Sequence, residues 1–310
     1  MKPGGMPAAY GLRLRCESAP ELTSPRVRVQ MPAAYGLRLR CEGAGRWPGL
    51  GPAQRWLAVD GAERWPELVL AERTAPGPEL SWDARNAALR VRGDVRCEEL
   101  VHPLLGRAGA WHALHRGGDA LHAGAFAGPC GAWLLIGAKG AGKSTLLASL
   151  AALGAPIVTD DVLVIIDGLA MAGPRCIDLR GDADRFGPTV AVRPEDPRRR
   201  LALPPIAAEH RLSGCLHLEW AECKPSIRLI EHREALRRLL ALRADKGYPT
   251  RPQTLLALAA LPSAVLTRPR GWASLERVAA LAAELAGQGA PASGLAGGGG
   301  RGEQPLPRAA

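Results

Sequence analysis

The chain has 310 residues, 47% of them hydrophobic, with a formal net charge of +10. That is enough apolar material for one large domain or two ordinary ones, and it excludes a disordered or fibrous chain. The 35 arginines and five lysines are spread through the whole sequence, so the concentrated basic footprint of a nucleic-acid binder is missing and no nucleic-acid partner is expected. No uncharged apolar stretch reaches the roughly 18 residues of a membrane span, and MKPGGMPAAYGLRLRCE lacks the apolar run of a signal peptide. A cytoplasmic protein without membrane contact is expected. The seven cysteines are scattered and never spaced C-x-x-C, so reduced thiols are expected.

In chain order, the first feature is a perfect repeat: MPAAYGLRLRCE occupies residues 6–17 and again 31–42. Leu37, Leu39 and Cys41 alternate with Arg38, Arg40 and Glu42, the period of a half-buried strand. Two units do not make a solenoid, and only the second runs straight into the rest of the chain. Residues 1–30 are therefore expected to be a loosely attached, duplicated segment. Residues 31–100 read as a β-rich region with Pro/Gly turns.

From residue 101 the pattern becomes helical in LVHPLLGRAGAWHALHR, followed by a buried strand in AWLLIG and a helix in KSTLLASLAAL. Trp133, on that strand, reads as core. PIVT is a short strand, and VLVIIDGLAMA holds Asp167-Gly168 between two apolar runs, a strong hairpin signal. Asp167 could also be the carboxylate that ends a hydrophobic strand beside a nucleotide, and both readings stand at this stage. Arg198, Arg199 and Arg200, flanked by prolines, read as a loop. CLHLEWAE and SIRLIEH are strands, and EALRRLLALRA and SLERVAALAAELAG are helices. His210, Cys215, His217 and Cys223 sit at ordinary strand spacings, so no zinc site is expected. Residues 287–310 are too rich in glycine and too poor in apolar residues to fold and read as a disordered tail.

The chemistry concentrates in GAKGAGKS, residues 137–144, which fits G-x-x-x-x-G-K-[ST] between an apolar strand and a helix. In such a loop the glycines Gly137, Gly140 and Gly142, with Lys139 and Ala141, let backbone N–H groups turn towards phosphate oxygens at a helix N-terminus. Lys143 would reach the outer phosphates, Ser144 would place a hydroxyl on Mg²⁺, and Thr145 would support the same turn. ATP and Mg²⁺ are the implied cofactors. Seventeen residues after Lys143 come Asp160 and Asp161, one α-β return away and so back beside the loop. Adjacent carboxylates can divide the work, one at the metal and one accepting a proton from an attacking hydroxyl.

These residues, in this order, resemble the catalytic domain of the HPr serine kinase/phosphorylase family and its bacterial relatives, some of which occur with lasso peptide biosynthesis. The resemblance rests on His122, 15 residues before Gly137; on GAKGAGKST; on LGAPIVTDD; and on Ile177, Asp178, Leu179, Arg180 and Gly181 in CIDLRGD. It implies an α/β fold, a P-loop nucleotide-binding domain over residues 101–286 behind the β-rich N-terminal region. It also implies Asp160 as the proton acceptor, Asp161 as a metal-site residue, His122 as a phosphate-side neighbour and Asp178, in place of the family's glutamate, as a metal ligand. The implied activity is phosphoryl transfer from ATP to a serine of a protein or peptide substrate. A nucleotide-binding module without transfer and a plain ATP hydrolase are the alternatives, and a homo-oligomer is left open.

Overall fold

A computed structural model describes residues 100–287 apart from 182 and 243–250; before residue 100 it describes 13–14, 33–41, 56–62, 64–65, 67–71, 79–83 and 88–92. Apart from Arg13 and Leu14, the segment expected to be loosely attached lies outside the described residues, as does the expected tail beyond Gly287. The fold is mixed α/β.

The N-terminal strands are β1 (Arg13–Leu14), β2 (Ala33–Ala34), β3 (Leu37–Cys41), β4 (Val59–Asp60), β5 (Glu67–Ala71), β6 (Glu79–Asp83) and β7 (Ala88–Arg92). Apart from β4 they form one sheet, in the order β2-β3-β5-β7-β6 with β1 on β5. Tyr35 and Gly36 join β2 to β3 with φ of 56° and 80°, the two-residue positive-φ turn that suits a twisted hairpin. Both copies of the repeat fall on β5: Arg13 and Leu14 are in parallel register with Val69 and Leu70, as are Arg40 and Cys41 of the second copy.

The larger part begins with helix α1 (Leu105–His115) and strands β8 (Asp119–Leu121), β9 (Gly124–Gly128) and β10 (Gly131–Ile136). Helix α2 (Lys143–Ala152) is followed by β11 (Ile157–Thr159), β12 (Leu163–Ile166), β13 (Leu169–Met171) and β14 (Cys176–Leu179). Then come β15 (Thr189–Arg193), β16 (Asp196–Ala202), β17 (Ile206–Ala207), β18 (Glu209–Trp220) and β19 (Ser226–Ile230). Helices α3 (His232–Leu242) and α4 (Pro252–Ala259), strand β20 (Ser263–Arg268) and helix α5 (Leu275–Gly287) complete the chain.

The main sheet runs β11-β9-β10-β18-β13-β12-β8, with β20 and β19 continuing from β18. Strand β9 is antiparallel to both β10 and β11, so those two run the same way, while β18 and β20 are parallel to β10. The carboxyl ends of β10, β11, β18 and β20 therefore share one edge, the usual place for a ligand crevice in such sheets. Helices α2 and α5 cover one side, packing Leu147, Leu150, Val278 and Ala282 with Phe126 and Leu216. Trp133 belongs to this core, its ring lying where a Cβ on Gly214 would come within 2.6 Å. A second core runs continuously from Ala33, Tyr35 and Leu37 of the N-terminal hairpin to Leu105, Val164 and Leu258.

Asp167 and Gly168, with φ of 51° and 77°, form the two-residue turn between β12 and β13. Asp167 is exposed and lies 3.9 Å from Arg116, so the hairpin reading accounts for it. The arginine run is not a loop: Arg198, Arg199 and Arg200 lie on β16, the middle strand of β14-β16-β15. Proline flanks suggested irregular chain, but Pro197 sits next to the hairpin turn, beside a register shift, where a missing N–H is tolerated. No described helix is long and apolar enough to cross a membrane.

Because the second copy already lies on β5 and buries Tyr35, Leu37 and Leu39, deleting residues 1–30 should change Tm by less than about 4 °C, the scale of ~1 kcal/mol in a chain of this size. Deleting residues 1–42 should instead lower Tm by more than about 10 °C, since it strips several fully buried side chains. Differential scanning calorimetry on both truncations checks this, and equal losses would show that the first copy is as integral as the second.

Candidate functional site

Strand β10 ends at Ile136 and the chain turns through residues 137–142 into α2, with Gly140 and Gly142 at φ of 82° and 77°. Three side chains donate to the carbonyls of this loop. Lys143, itself buried, folds back so that Nζ donates to the carbonyl oxygens of Gly137 at 2.8 Å and Ala138 at 3.4 Å. The indole N–H of Trp220 donates to Gly140 at 3.3 Å. Arg268 donates through Nη2 to Ala141 at 2.7 Å and Gly142 at 3.2 Å, with its guanidinium 4.3 Å from the Trp220 ring centre. In a trans peptide the N–H points opposite to the C=O. With the Ala141 and Gly142 carbonyls turned to Arg268, the N–H groups of Gly142 and Lys143 face away from it, at the N-terminus of α2. Lys139 is exposed at the loop's tip, and Thr145 is half-buried in the first turn of α2.

Neither Trp220 nor Arg268 was singled out from the sequence. They end β18 and β20, the two strands parallel to β10 on its other side, and strand neighbours of that kind leave no local signal. Arg268 is buried, which lowers its pKa to about 10.

Strand β11 delivers the aspartate pair to the same edge. Ser144 Oγ donates to Asp160 Oδ1 at 2.9 Å, joining the first turn of α2 to the end of β11. Asp160 is only 4% exposed. Burial raises its pKa most, the neighbouring Asp161 raises it further, and the Ser144 hydrogen bond pulls it down; the result is about 7. Asp161 faces outward, its side chain 50% exposed and 3.3 Å from Nδ1 of His122, which follows β8. The sequence-derived set Lys143, Ser144, Asp160, Asp161 and His122 is thus brought together.

Asp178 has a different partner. Arg200 Nε and Nη2 meet its two carboxylate oxygens at 2.6 and 2.8 Å, and both side chains are buried. The antiparallel register of β14 and β16 sets these residues opposite each other. The carboxylate expected as a metal ligand is held here in a forked ion pair, which a metal ion would have to share or displace. The pairing was hidden because the arginine run read as loop. Among the described residues no group of three or more His, Cys, Asp or Glu is placed to hold a metal ion. Cys215 lies buried against the Leu258 carbonyl, and His210 meets the Ala207 carbonyl.

No family model matches the chain, and no curated protein matches its sequence. Among solved structures it aligns with the Hpr(Ser) kinase/phosphatase from Coxiella burnetii, at a TM-score of 0.31 and 12% identity over 54% of this chain and 95% of that one. A likeness of that size carries no argument about function, so the functional reading rests on the geometry.

The titration of Asp160 has a measurable consequence. Its folded-state pKa of about 7 lies above the unfolded value near 4, so the folded protein binds more protons between those limits and stability falls as pH rises through that window. Asp160→Asn removes this burden. In magnesium-free buffer the variant should be more stable than the parent at pH 8 by a few kcal/mol, with the difference vanishing near pH 4. Urea unfolding at several pH values checks the sign, and a variant less stable at pH 8 than at pH 4 relative to the parent contradicts it.

Proposed function

We propose that the chain transfers a phosphoryl group from Mg-ATP to the serine hydroxyl of a protein or peptide. The observation that carries the reading is the Ser144–Asp160 hydrogen bond, which joins a glycine loop at a helix N-terminus to a buried carboxylate with a pKa near neutrality.

The residues fit Mg-ATP on two counts. The hydroxyl of Ser144 and the half-exposed carboxylate of Asp161, next in the chain to the Asp160 that Ser144 touches, would offer hard oxygens of the kind Mg²⁺ accepts when phosphate oxygens and water supply the remainder, and such an ion needs no cage of protein ligands. The N–H groups of Gly142 and Lys143, turned away from Arg268, suit anionic oxygens. When bound, Mg-ATP would supply the transferable phosphoryl group.

The chain's own groups would do the following. Lys143 exchanges the Gly137 and Ala138 carbonyls for phosphate oxygens, a stronger charge-assisted contact. Asp160, with a pKa of about 7, is poised near neutral pH to accept the proton of the attacking serine. Asp161 would contribute negative charge at the metal, and His122, beside it, would be a neighbour of the phosphates. The cytoplasm, where ATP is abundant, is the compartment proposed.

A second reading has an observation in its favour: Ser144 touches Asp160 and not Asp161. If Ser144 marks the metal, Asp160 is the metal-side carboxylate, and Asp161 with His122 is the proton-accepting pair. Turnover against Mg²⁺ concentration decides. On the first reading Asp160→Asn lowers turnover about 10²- to 10⁴-fold at every Mg²⁺ concentration, whereas the loss in Asp161→Asn is partly recovered at high Mg²⁺. The reverse pattern exchanges the roles, and full turnover in both variants removes the pair from the chemistry.

The nucleotide assignment is tested separately. Lys143→Ala should weaken Mg-ATP binding by a few kcal/mol in calorimetry, and unchanged affinity would remove the loop from the site. Radiolabelled ATP with serine-containing peptides then distinguishes transfer from binding alone and from release of free phosphate.

A further inference from the structure

The aspartate corner is strained. Asp161 has a φ of 68°, and the N–H of Val162 donates across it to the carbonyl of Asp160 at 2.8 Å. That is a three-residue turn with a positive central φ, a rare and unfavourable conformation. Such a residue persists only where its surroundings over-determine it.

The surroundings are on the page. Thr159 Oγ1 lies 2.6 Å from the carbonyl of Val162 and 3.3 Å from that of Asp160. A hydroxyl has one hydrogen, and the shorter contact takes it. Tyr35 reaches the same corner: its hydroxyl lies 3.3 Å from the Asp160 carbonyl and also hydrogen-bonds with the Thr159 side chain. Tyr35 is fully buried and itself has a φ of 56°. Its N–H donates to the Ala172 carbonyl at 2.7 Å. Its side chain occupies a space that two glycines leave open: a Cβ on Gly109 of α1 would lie 2.4 Å from Tyr35 Cβ, and one on Gly173 would lie 2.9 Å from Tyr35 Cε1. Burial of the phenol drives its pKa well above the ordinary value, so it stays protonated and able to donate.

We propose that Tyr35, carried on the turn of the N-terminal hairpin, is a positioning residue that clamps the Asp160–Asp161 corner and so holds Asp160 on Ser144 and Asp161 on His122. The hairpin is then a working part of the catalytic centre, and the repeat that encodes it is a duplication of a site element. The bearing of the clamp on transfer rests on the phosphotransfer reading; the clamp itself does not.

Tyr35→Phe removes the hydroxyl and keeps the ring. The first copy of the repeat carries an identical tyrosine, Tyr10, so Tyr10→Phe/Tyr35→Phe is made as well, to prevent its hydroxyl from substituting. Hydrogen exchange followed by NMR, without nucleotide, reads the Val162 amide against Leu134 and Leu216 in the central strands. The expected result in the double variant is exchange at Val162 faster by about tenfold or more, with Leu134 and Leu216 unchanged, because the corner opens locally. Unchanged protection at Val162, or a loss shared equally by all three amides, overturns the proposal. Where the double variant does not fold, Tyr35→Phe alone is read in the same way with the same outcomes.

Turnover provides the second measurement. A positioning role predicts a fall in kcat at unchanged KM for ATP, since the loop that would hold the nucleotide is untouched. If the parent protein shows no transfer, the phosphotransfer reading fails while the exchange result still decides the clamp.

Discussion

A carboxylate buried at the end of a strand is the constraint on which the rest of the site depends. Asp160 cannot remain ionised in a low-dielectric pocket without compensation. Ser144 supplies one hydrogen bond, and only because β10 and β11 run the same way on either side of β9 does the first turn of α2 arrive beside it. The positive φ at Asp161 then sends the second carboxylate outward to His122. Two chemically identical neighbours are thereby given different environments, one dry with its pKa raised to about 7 and one half in water. Separating two carboxylates in this way is how a single pair can divide acid-base and electrostatic work.

The glycine loop shows the complementary arrangement. Its carbonyls are met by Lys143, Trp220 and Arg268, which turns the N–H groups of Gly142 and Lys143 away from Arg268. Lys143 and Arg268 play different parts here. Arg268 is buried and sandwiched against Trp220, while Lys143 is attached to two neutral carbonyls that an anion would outcompete. Gly142 suits glycine because its φ is 77°; a Cβ there would also come within 2.5 Å of Arg268 Nη2, which would have to shift.

What was legible in the sequence was what is local in the chain. The strand-loop-helix around GAKGAGKS, the Asp167-Gly168 hairpin and the helix over residues 275–287 each carry their own periodicity or turn chemistry, and each is found close to its expected place. The return of Asp160 to Ser144 was readable because one helix and one short strand fix the length of the crossover. The partners that came from afar were not. Arg200 meets Asp178 across 22 residues, Arg268 meets Ala141 across 127, and Tyr35 meets Asp160 across 125. Such pairings depend on strand order and register, which a single sequence does not state. In the case of Asp178 the omission hid its partner, since a carboxylate facing solvent and one held by a buried arginine read alike in the chain.

The same distinction bears on the N-terminal repeat. As sequence, a perfect duplication looks like an appended spare, and its alternation promises no more than a half-buried strand. In the fold, strand and turn both enter the large core, and the part of the motif that reaches the aspartates is the Tyr35-Gly36 turn. A tyrosine forced to positive φ would be a poor choice for an ordinary hairpin, where asparagine or glycine serves at no steric penalty. Its presence there follows if the ring and hydroxyl are needed below Asp160 more than the turn needs an easy backbone. Strain at Tyr35 and strain at Asp161 are then two ends of one contact, each held in place by the packing of the other.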